Sequence, residues 1–118
     1  MKYTLIFIQI AVLLSCKAQT TITPEQAKDN IGNTVTVCGI VVNSFYDGKA
    51  HGKPTFIDFG AKYPNNTFEV VIWAENLTDF SFKPTDLIGK NVCVTAPIKL
   101  YNGKPEMIIK YPDQIKVQ

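Results

Sequence analysis

The pattern of hydrophobic and polar positions along the chain predicts a mostly β structure with five strands. The clearest strand is Thr34–Val42, which is nearly all β-branched and can extend to Phe45. Gly39 lies inside this strand, and an internal glycine indicates a bend or a close backbone approach. Four further runs have strand character: Thr55–Phe59, Thr67–Trp73, Asn91–Leu100 and Glu106–Tyr111.

The residues before the first strand predict a short helix. Thr23 is a good N-cap, Pro24 suits the first helical position, and Gln26 completes a capping box. The helix is expected to end near Asn30, because Gly32 follows as a stop signal. Its candidates for an inward face are Ala27 and Ile31.

Two connecting segments have their own signals. Residues Ala74–Lys83 show no strand pattern, and Leu77, Phe80 and Phe82 are spaced to place one helical turn against the bottom of a barrel. Asn102-Gly103 lies between the last two apolar runs, which is the strongest short-range signal for a β-hairpin.

The order of these elements predicts the fold. Three strands, a helical connector and a two-stranded hairpin is the order of the OB-fold, a five-stranded, partly open Greek-key barrel. An immunoglobulin-like sandwich requires about seven strands. We therefore expect an all-β OB-fold barrel with short helices, preceded by the N-terminal helix and occupying residues 23–118.

The N-terminus has the features of an export signal. Lys2 supplies a positive charge, and Leu5–Leu14 is apolar apart from one glutamine. The stretch Leu13–Cys16 resembles the lipobox of bacterial lipoproteins, which implies a signal peptide at residues 1–15, lipidation of Cys16 and a tether at residues 16–22. The predicted location is then the bacterial periplasm or cell envelope, anchored to a membrane. The alternative is an ordinary cleaved signal with a coincidental cysteine.

Charge limits the possible ligands. Lysine and arginine together number 12 against 10 aspartates and glutamates, a formal charge of +2, and every one of the 12 is a lysine. The absence of arginine counts against a site built on bidentate recognition of phosphate.

Catalysis is not expected from these residues. The single histidine, His51, lies in a lysine-rich loop and reads as a solvated surface residue. Asp58 and Glu69 are interpreted as polar positions on sheet edges. No pair of residues has the spacing of a zinc site, since the three cysteines are far apart in the chain: Cys16, Cys38 and Cys93. The prediction is a non-enzymatic protein without metal or cofactor.

Several short segments resemble those of small exported bacterial OB-fold proteins, which are described as nucleic-acid-binding-like. The likeness runs from about Thr23 to Val117 and is specific for the fold. The segments that carry it are Val35–Gly39, Pro54–Ile57, Val70–Trp73, Val92–Thr95 and Tyr101–Glu106. OB-folds bind oligonucleotides, oligosaccharides or proteins, so the resemblance implies a binding module and leaves the ligand open.

The expected binding surface covers the second and third strands and the loops that frame them. Aromatic residues for stacking beside lysines for the phosphate backbone are typical of single-stranded nucleic acid sites. Phe56 and Phe68 are offered by these strands, with burial in the core as the favoured alternative. The candidate ligand-binding residues are Tyr46, Lys49, His51, Lys53, Trp73, Tyr101 and Lys104.

Two functional hypotheses follow. The first is a module that binds single-stranded nucleic acid weakly. The second is an envelope lipoprotein domain that binds a protein, a saccharide or a small anionic ligand. In either case we expect a monomer whose membrane contact is the N-terminal lipid.

A disulfide between Cys38 and Cys93 is predicted. Their strands are antiparallel neighbours in an OB-fold, and each cysteine alternates with valines that are expected to face the interior. Directly opposed residues on the other face are close enough for a bridge. Export favours the bond, since disulfides persist outside the cytosol. The alternative is a pair of reduced, buried cysteines.

Overall fold

The structure is a computed structural model that describes residue 4 and residues 20–118. Apart from residue 4, the predicted signal peptide lies outside the described residues. Cys16 and residues 17–19 of the predicted tether also lie outside them, so lipidation of Cys16 stays a prediction. The final two tether residues, Thr21–Ile22, form a strand that pairs with the domain, and Ile22 is buried.

The described chain contains eight strands and four short helices. The helices are α1 (Ala74–Leu77) and three 3₁₀ helices, Pro24–Asp29, Pro84–Leu87 and Pro112–Gln114. The strands are β1 (Thr21–Ile22), β2 (Thr34–Tyr46), β3 (Thr55–Phe59), β4 (Phe68–Ile72), β5 (Asn91–Pro97), β6 (Lys99–Tyr101), β7 (Lys104–Ile108) and β8 (Ile115–Val117).

The strand count corrects the prediction of five. The predicted strands are all present, but the fourth is divided at Ile98 into β5 and β6. Both termini of the described domain add a short strand, because β1 pairs with β2 and β8 pairs with β5. Two- and three-residue strands carry too little periodicity to be detected in a sequence.

The strands form one sheet in the order β6-β7-β4-β3-β2-β5-β8, with β1 beside β2. The pairs β1–β2 and β4–β7 are parallel and the others are antiparallel. No ladder joins β6 to β8, so the hydrogen-bonded sheet is open and the predicted barrel is not fully closed. The fully buried Ile98 separates β5 from β6, and it joins one core with residues of β2, β3, β4, β5, β7 and β8.

Strand β2 organises this arrangement because it pairs with β5 along its first half and with β3 along its second. The register shifts between Val41 and Asn43, where the strand passes from one partner to the other. Gly39 lies against Pro24, and a Cβ built at Gly39 would come within 2.6 Å of the proline Cγ. The predicted close approach at this glycine is therefore confirmed.

The disulfide between Cys38 and Cys93 is present, as predicted. The two residues are directly opposed in the β2–β5 ladder, with their Cα atoms 4.0 Å apart. The flanking residues Val37 and Val94 are also opposed, and both are fully buried in the core. The cysteines occupy the other face of the same strands, which is the geometry that the alternation of valines predicts.

The predicted N-terminal helix is present, but its turn is 3₁₀ rather than α. Gln26 Oε1 accepts the backbone N–H of Thr23 at 2.9 Å, which is the backward bond of a capping box. Ala27 is buried as expected, whereas Ile31 is 40% exposed. In a 3₁₀ helix residues i and i+3 share a face, and Ile31 also lies beyond the end of the helix at Asp29.

The connector after β4 contains a single helical turn, as predicted. Helix α1 covers only Ala74–Leu77. Phe80 is buried in the core, and the partly buried Leu77 and Phe82 pack against that core. The three side chains therefore cover the core at this point. Among the described residues, no helix combines the length and apolar character needed to cross a membrane.

Candidate functional site

The outward face of β3, β4 and β7 carries the most unusual side chains of the molecule. Along β3 and β4 the residues that join the core are Ile57, Phe59, Phe68, Val70 and Ile72. Side chains alternate between the two faces of a sheet. The outward positions are therefore Phe56, Asp58, Glu69 and Val71, joined on β7 by Glu106 and Ile108.

A cavity of about 600 Å³ lies on this face, between the loop of residues 60–67 and the β6–β7 hairpin. We call it the β3–β4–β7 groove. Four aromatic side chains line it: Phe45, Phe56, Tyr63 and Tyr101. Its principal polar lining residues are Asn66, Glu69, Lys104 and Glu106.

The aromatic walls are formed from both sides of the groove. Phe45 and Phe56 are opposed across β2 and β3, and their ring centroids are 5.0 Å apart with the planes tilted by 34°. Tyr63 and Tyr101 lie on the loop and the hairpin, and their side chains are 66% and 62% exposed. Exposed aromatic surface of this kind can stack on a planar or apolar ligand.

A row of carboxyl groups crosses the same face. Strand register pairs Asp58 with Glu69 and Glu69 with Glu106, and the row ends at Lys99 on β6. Asp58 is fully buried and Glu106 is 9% exposed. The interpretation of Asp58 and Glu69 as edge positions was wrong, because β3 and β4 are interior strands of the sheet.

Asp58 and Glu69 share an environment that cannot easily hold two negative charges. Burial raises the pKa of Glu69 to about 9, with further contributions from hydrogen bonding to Asp58 and from its charge. Asn66 Nδ2 donates to Asp58 Oδ1 and to Glu69 Oε2, both at 3.4 Å. Asp58 Oδ2 has no hydrogen-bond partner within the described chain, and the raised pKa leaves Glu69 with a proton at neutral pH that is available as a donor.

Glu106 differs from this pair. Burial raises its pKa, while the charge of the opposing Lys99 acts in the other direction. The side-chain hydrogen bonds found among residues 20–118 leave Glu106 without a partner, although the residue is nine-tenths buried and lines the groove. A buried acceptor in that condition is stabilised when a donor reaches it.

Lys104 connects the two sides of the groove. Its Nζ donates to Asn66 Oδ1 at 2.9 Å and to the carbonyl oxygen of Pro64. The same ammonium group lies 5.2 Å from the centroid of the Tyr63 ring, within the range of a cation–π contact. The hairpin turn that carries Lys104 is the predicted Asn102-Gly103, where both residues have positive φ, at 48° and 76°.

A second, more open depression of about 520 Å³ lies beside the loop between β2 and β3. Trp73, His51 and Lys53 line it. Gly52, with φ of 75°, packs on the Trp73 ring, and a Cβ there would lie 2.8 Å from Trp73 Cε3. One face of the tryptophan is therefore covered by the protein's own loop.

The structure divides the predicted ligand-binding residues. Tyr101 and Lys104 line the β3–β4–β7 groove. His51, Lys53 and Trp73 line the second depression, and Tyr46 and Lys49 line neither. Tyr46 is 53% exposed and lies against Gly48.

Sequence reasoning gave the groove-lining residues Tyr63, Asn66 and Glu106 no role in ligand binding. The alternation of inward and outward positions along the predicted strands indicated outward polar positions at Asp58 and Glu69. Within the described chain, no cluster of three or more histidine, cysteine, aspartate or glutamate side chains has the geometry of a metal site.

No protein-family model matches the sequence, and no curated protein sequence matches it. Solved structures match in fold. The structure of yeast Stn1 and Ten1 aligns with a TM-score of 0.59 at 14% identity, over 87% of this chain and 64% of that chain. Asparaginyl-tRNA synthetase from Pyrococcus horikoshii aligns with a TM-score of 0.52 at 14% identity, over 85% of this chain and 23% of that chain.

A lipoprotein of Klebsiella pneumoniae assigned to nucleic-acid binding also matches, over 80% of this chain and 78% of that chain. Its identity is 16% and its TM-score 0.47, which is too low to carry an argument. The alignments above 0.5 show an OB-like fold. The predicted resemblance to exported lipoproteins stays a prediction.

Proposed function

We propose that this protein is a non-enzymatic binding module whose ligand is single-stranded nucleic acid, held weakly in the β3–β4–β7 groove. The observation that carries the proposal is the set of aromatic side chains on both walls of one groove, with Lys104 beside them. Stacking of bases on aromatic rings is a sequence-tolerant source of affinity, at roughly 1–3 kcal/mol per base. The OB-like fold is itself compatible with this class of ligand, since oligonucleotides are among the ligands that OB-folds bind.

The affinity is expected to be modest. Polyphosphate binding at physiological salt depends on cations, and this chain has a formal charge of only +2 and no arginine. The carboxyl row within the groove opposes phosphate at its centre, and Lys104 is the one lysine among the lining residues. Together these features predict dissociation constants in the micromolar range or weaker.

Titration of a labelled single-stranded DNA dodecamer at two salt concentrations tests the proposal. Binding in the micromolar range that weakens only moderately with salt supports few phosphate contacts and dominant stacking. Tight binding that does not respond to salt, or no binding at all, contradicts it.

An uncharged saccharide is the second candidate, and the carboxyl row favours it. Carboxylates and amides accept hydrogen bonds from hydroxyl groups, and aromatic rings pack on apolar surfaces of the ligand. Glu69, Glu106 and Asn66 offer such groups next to the aromatic walls. A panel of neutral oligosaccharides, titrated in parallel with the DNA, discriminates between the two ligands because their binding is insensitive to salt.

We also propose that the protein is exported and anchored through a lipid on Cys16. The disulfide supports export, because such bonds persist in oxidising compartments. The intact mass of protein extracted from membranes is expected to exceed that of the bare chain from Cys16 by several acyl groups. The Cys16→Ser variant is expected to leave the membrane fraction or to remain unprocessed. An unchanged membrane partition of that variant contradicts the anchor.

A further inference from the structure

Glu106 is a largely buried residue of the groove that makes no side-chain hydrogen bond to another residue among 20–118. It is 9% exposed and lines the groove, and it lies between Glu69 and Lys99 in the strand register. The neighbouring polar side chains already have partners of their own. Asn66 donates to the Asp58–Glu69 pair and accepts from Lys104, and the proton on Glu69 is directed to Asp58.

We propose that Glu106 reads guanine, by accepting the N1–H and N2–H groups of a base stacked in the β3–β4–β7 groove. This inference rests on the proposed function and names its specificity. A carboxylate has two parallel acceptors and no donor, and the Watson–Crick edge of guanine presents two adjacent donors. Thymine and uracil place carbonyl oxygens on both sides of their single N–H, so a carboxylate repels them.

The surroundings of Glu106 suit this role. Tyr101, across the hairpin, and the Phe45–Phe56 pair provide apolar surface for the face of the base. Burial raises the pKa of the Glu106 carboxyl group and the charge of the opposing Lys99 acts in the other direction, so the ionised form is best tested at alkaline pH. The groove, at about 600 Å³, is within the usual volume of small-ligand sites, and a hydrogen bond to an ionised carboxylate is stronger than one between neutral groups.

The test compares three DNA hexamers with the full chain at pH 8, namely d(TG)₃, d(TI)₃ and d(T)₆. Inosine keeps the N1–H of guanine and lacks its amino group. A bidentate contact is expected to make d(TG)₃ bind about tenfold more tightly than d(T)₆, equivalent to about 1.4 kcal/mol. The inosine hexamer should lose most of this preference.

Two variants identify the residue. Glu106→Gln replaces one acceptor by a donor and removes a charge that repels thymine, so it should bind d(T)₆ at least as tightly as the unaltered protein does and should lose the preference for guanine. A circular dichroism spectrum and a Tm that match those of the unaltered protein show that the variant is folded. Glu25→Gln makes the same change of charge at an exposed position on the first 3₁₀ helix and should behave as the unaltered protein. The preference should also decline as the pH is lowered and Glu106 is protonated.

The possible outcomes are distinct. Equal binding of the three hexamers is compatible with the proposed function but overturns the role of Glu106. A guanine preference that survives in Glu106→Gln has the same meaning. Absence of binding by every hexamer removes both. A guanidinium group presents the same paired donors, so an arginine-containing peptide that displaces d(TG)₃ at equal concentration would make a peptide the ligand and overturn the assignment to guanine.

Discussion

The outward side chains of the two halves of the sheet differ in whether they have partners within the fold. Where β2 pairs with β5, the outward side chains bond to each other. Cys38 and Cys93 form the disulfide, and the hydroxyl groups of Thr36 and Thr95 are 2.7 Å apart. Where β3, β4 and β7 pair, the outward carboxyl groups of Asp58, Glu69 and Glu106 are adjacent, and Asp58 Oδ2 has no hydrogen-bond partner among the described residues.

The first half of the sheet is therefore suited to stabilise the fold, and the second half is suited to bind a ligand. Satisfied cross-strand pairs and a covalent bond stabilise the first half without external partners. Buried carboxyl groups lower stability unless something supplies a proton or a donor. The second half therefore carries groups whose best partners lie outside the fold, and it is also the half with the aromatic groove.

Removing the disulfide is expected to cause the largest loss of stability. The bond closes a sequence separation of 55 residues. The chain-entropy argument assigns it about 4 kcal/mol of unfolding free energy, which corresponds to about 15 °C or more in Tm. Thermal unfolding of Cys38→Ala/Cys93→Ala measures the loss. A reductant should lower the Tm of the unaltered protein but not that of the double variant, and an unchanged Tm on reduction contradicts the prediction.

The pH dependence of stability should come from the groove half. Because the pKa of Glu69 is about 9 in the folded protein and 4.5 ordinarily, the folded state holds a proton that the unfolded chain releases. Stability is then greatest below about pH 4.5 as far as this group is concerned, and it decreases as the pH rises towards 9. Water screens the part-exposed group, so we expect a loss on the order of 1–2 kcal/mol.

In the variant Glu69→Gln the side chain at this position is neutral at every pH. Its free energy of unfolding should therefore decrease less with rising pH, and it should be more stable than the unaltered protein at pH 8. Denaturant unfolding at pH 5, 7 and 9 measures the effect, and Glu25→Gln serves as the control. The same slope in Glu69→Gln and in the unaltered protein would show that the proton is held elsewhere.

A matched pair of tyrosine variants separates binding from stability at the groove. Tyr101 lines the groove and Tyr111 does not, and the two side chains are 62% and 64% exposed. Tyr101→Ala is expected to weaken the binding of single-stranded DNA by about fivefold or more, since one stacking surface is lost. Tyr111→Ala should leave the affinity unchanged, and neither variant should alter stability by more than about 0.5 kcal/mol. Equal affinities for the two variants would place the ligand elsewhere.

Trp73 is expected to have the smallest effect. It was predicted to bind ligand, but it lines the second depression and one face of its ring is covered by Gly52. Trp73→Ala should therefore reduce DNA affinity less than Tyr101→Ala does, in the same titration. A greater loss in Trp73→Ala would extend the binding surface from the groove to the second depression.

The sequence alone determined the strands with strong periodicity, the Asn102-Gly103 hairpin and the Cys38–Cys93 bond. These features depend on local chemistry, such as β-branched side chains, a turn that needs positive φ, and alternation along two neighbouring strands. The ends of the sheet were missed, because β1 and β8 are too short to show a period. Ile31 was misplaced because the sequence does not distinguish a 3₁₀ turn from an α-helix.

Only the tertiary structure decided which polar residues meet. Asp58 and Glu69 lie on successive strands and Glu106 lies much later in the chain, and the three become neighbours through the registers of β3–β4 and β4–β7. A shift of one residue in either register would send a strand's side chains to the opposite face. Tertiary structure also brought Tyr63 and Lys104 together and separated Trp73 from Tyr101, since loops and hairpins are positioned by long-range contacts that no local pattern encodes.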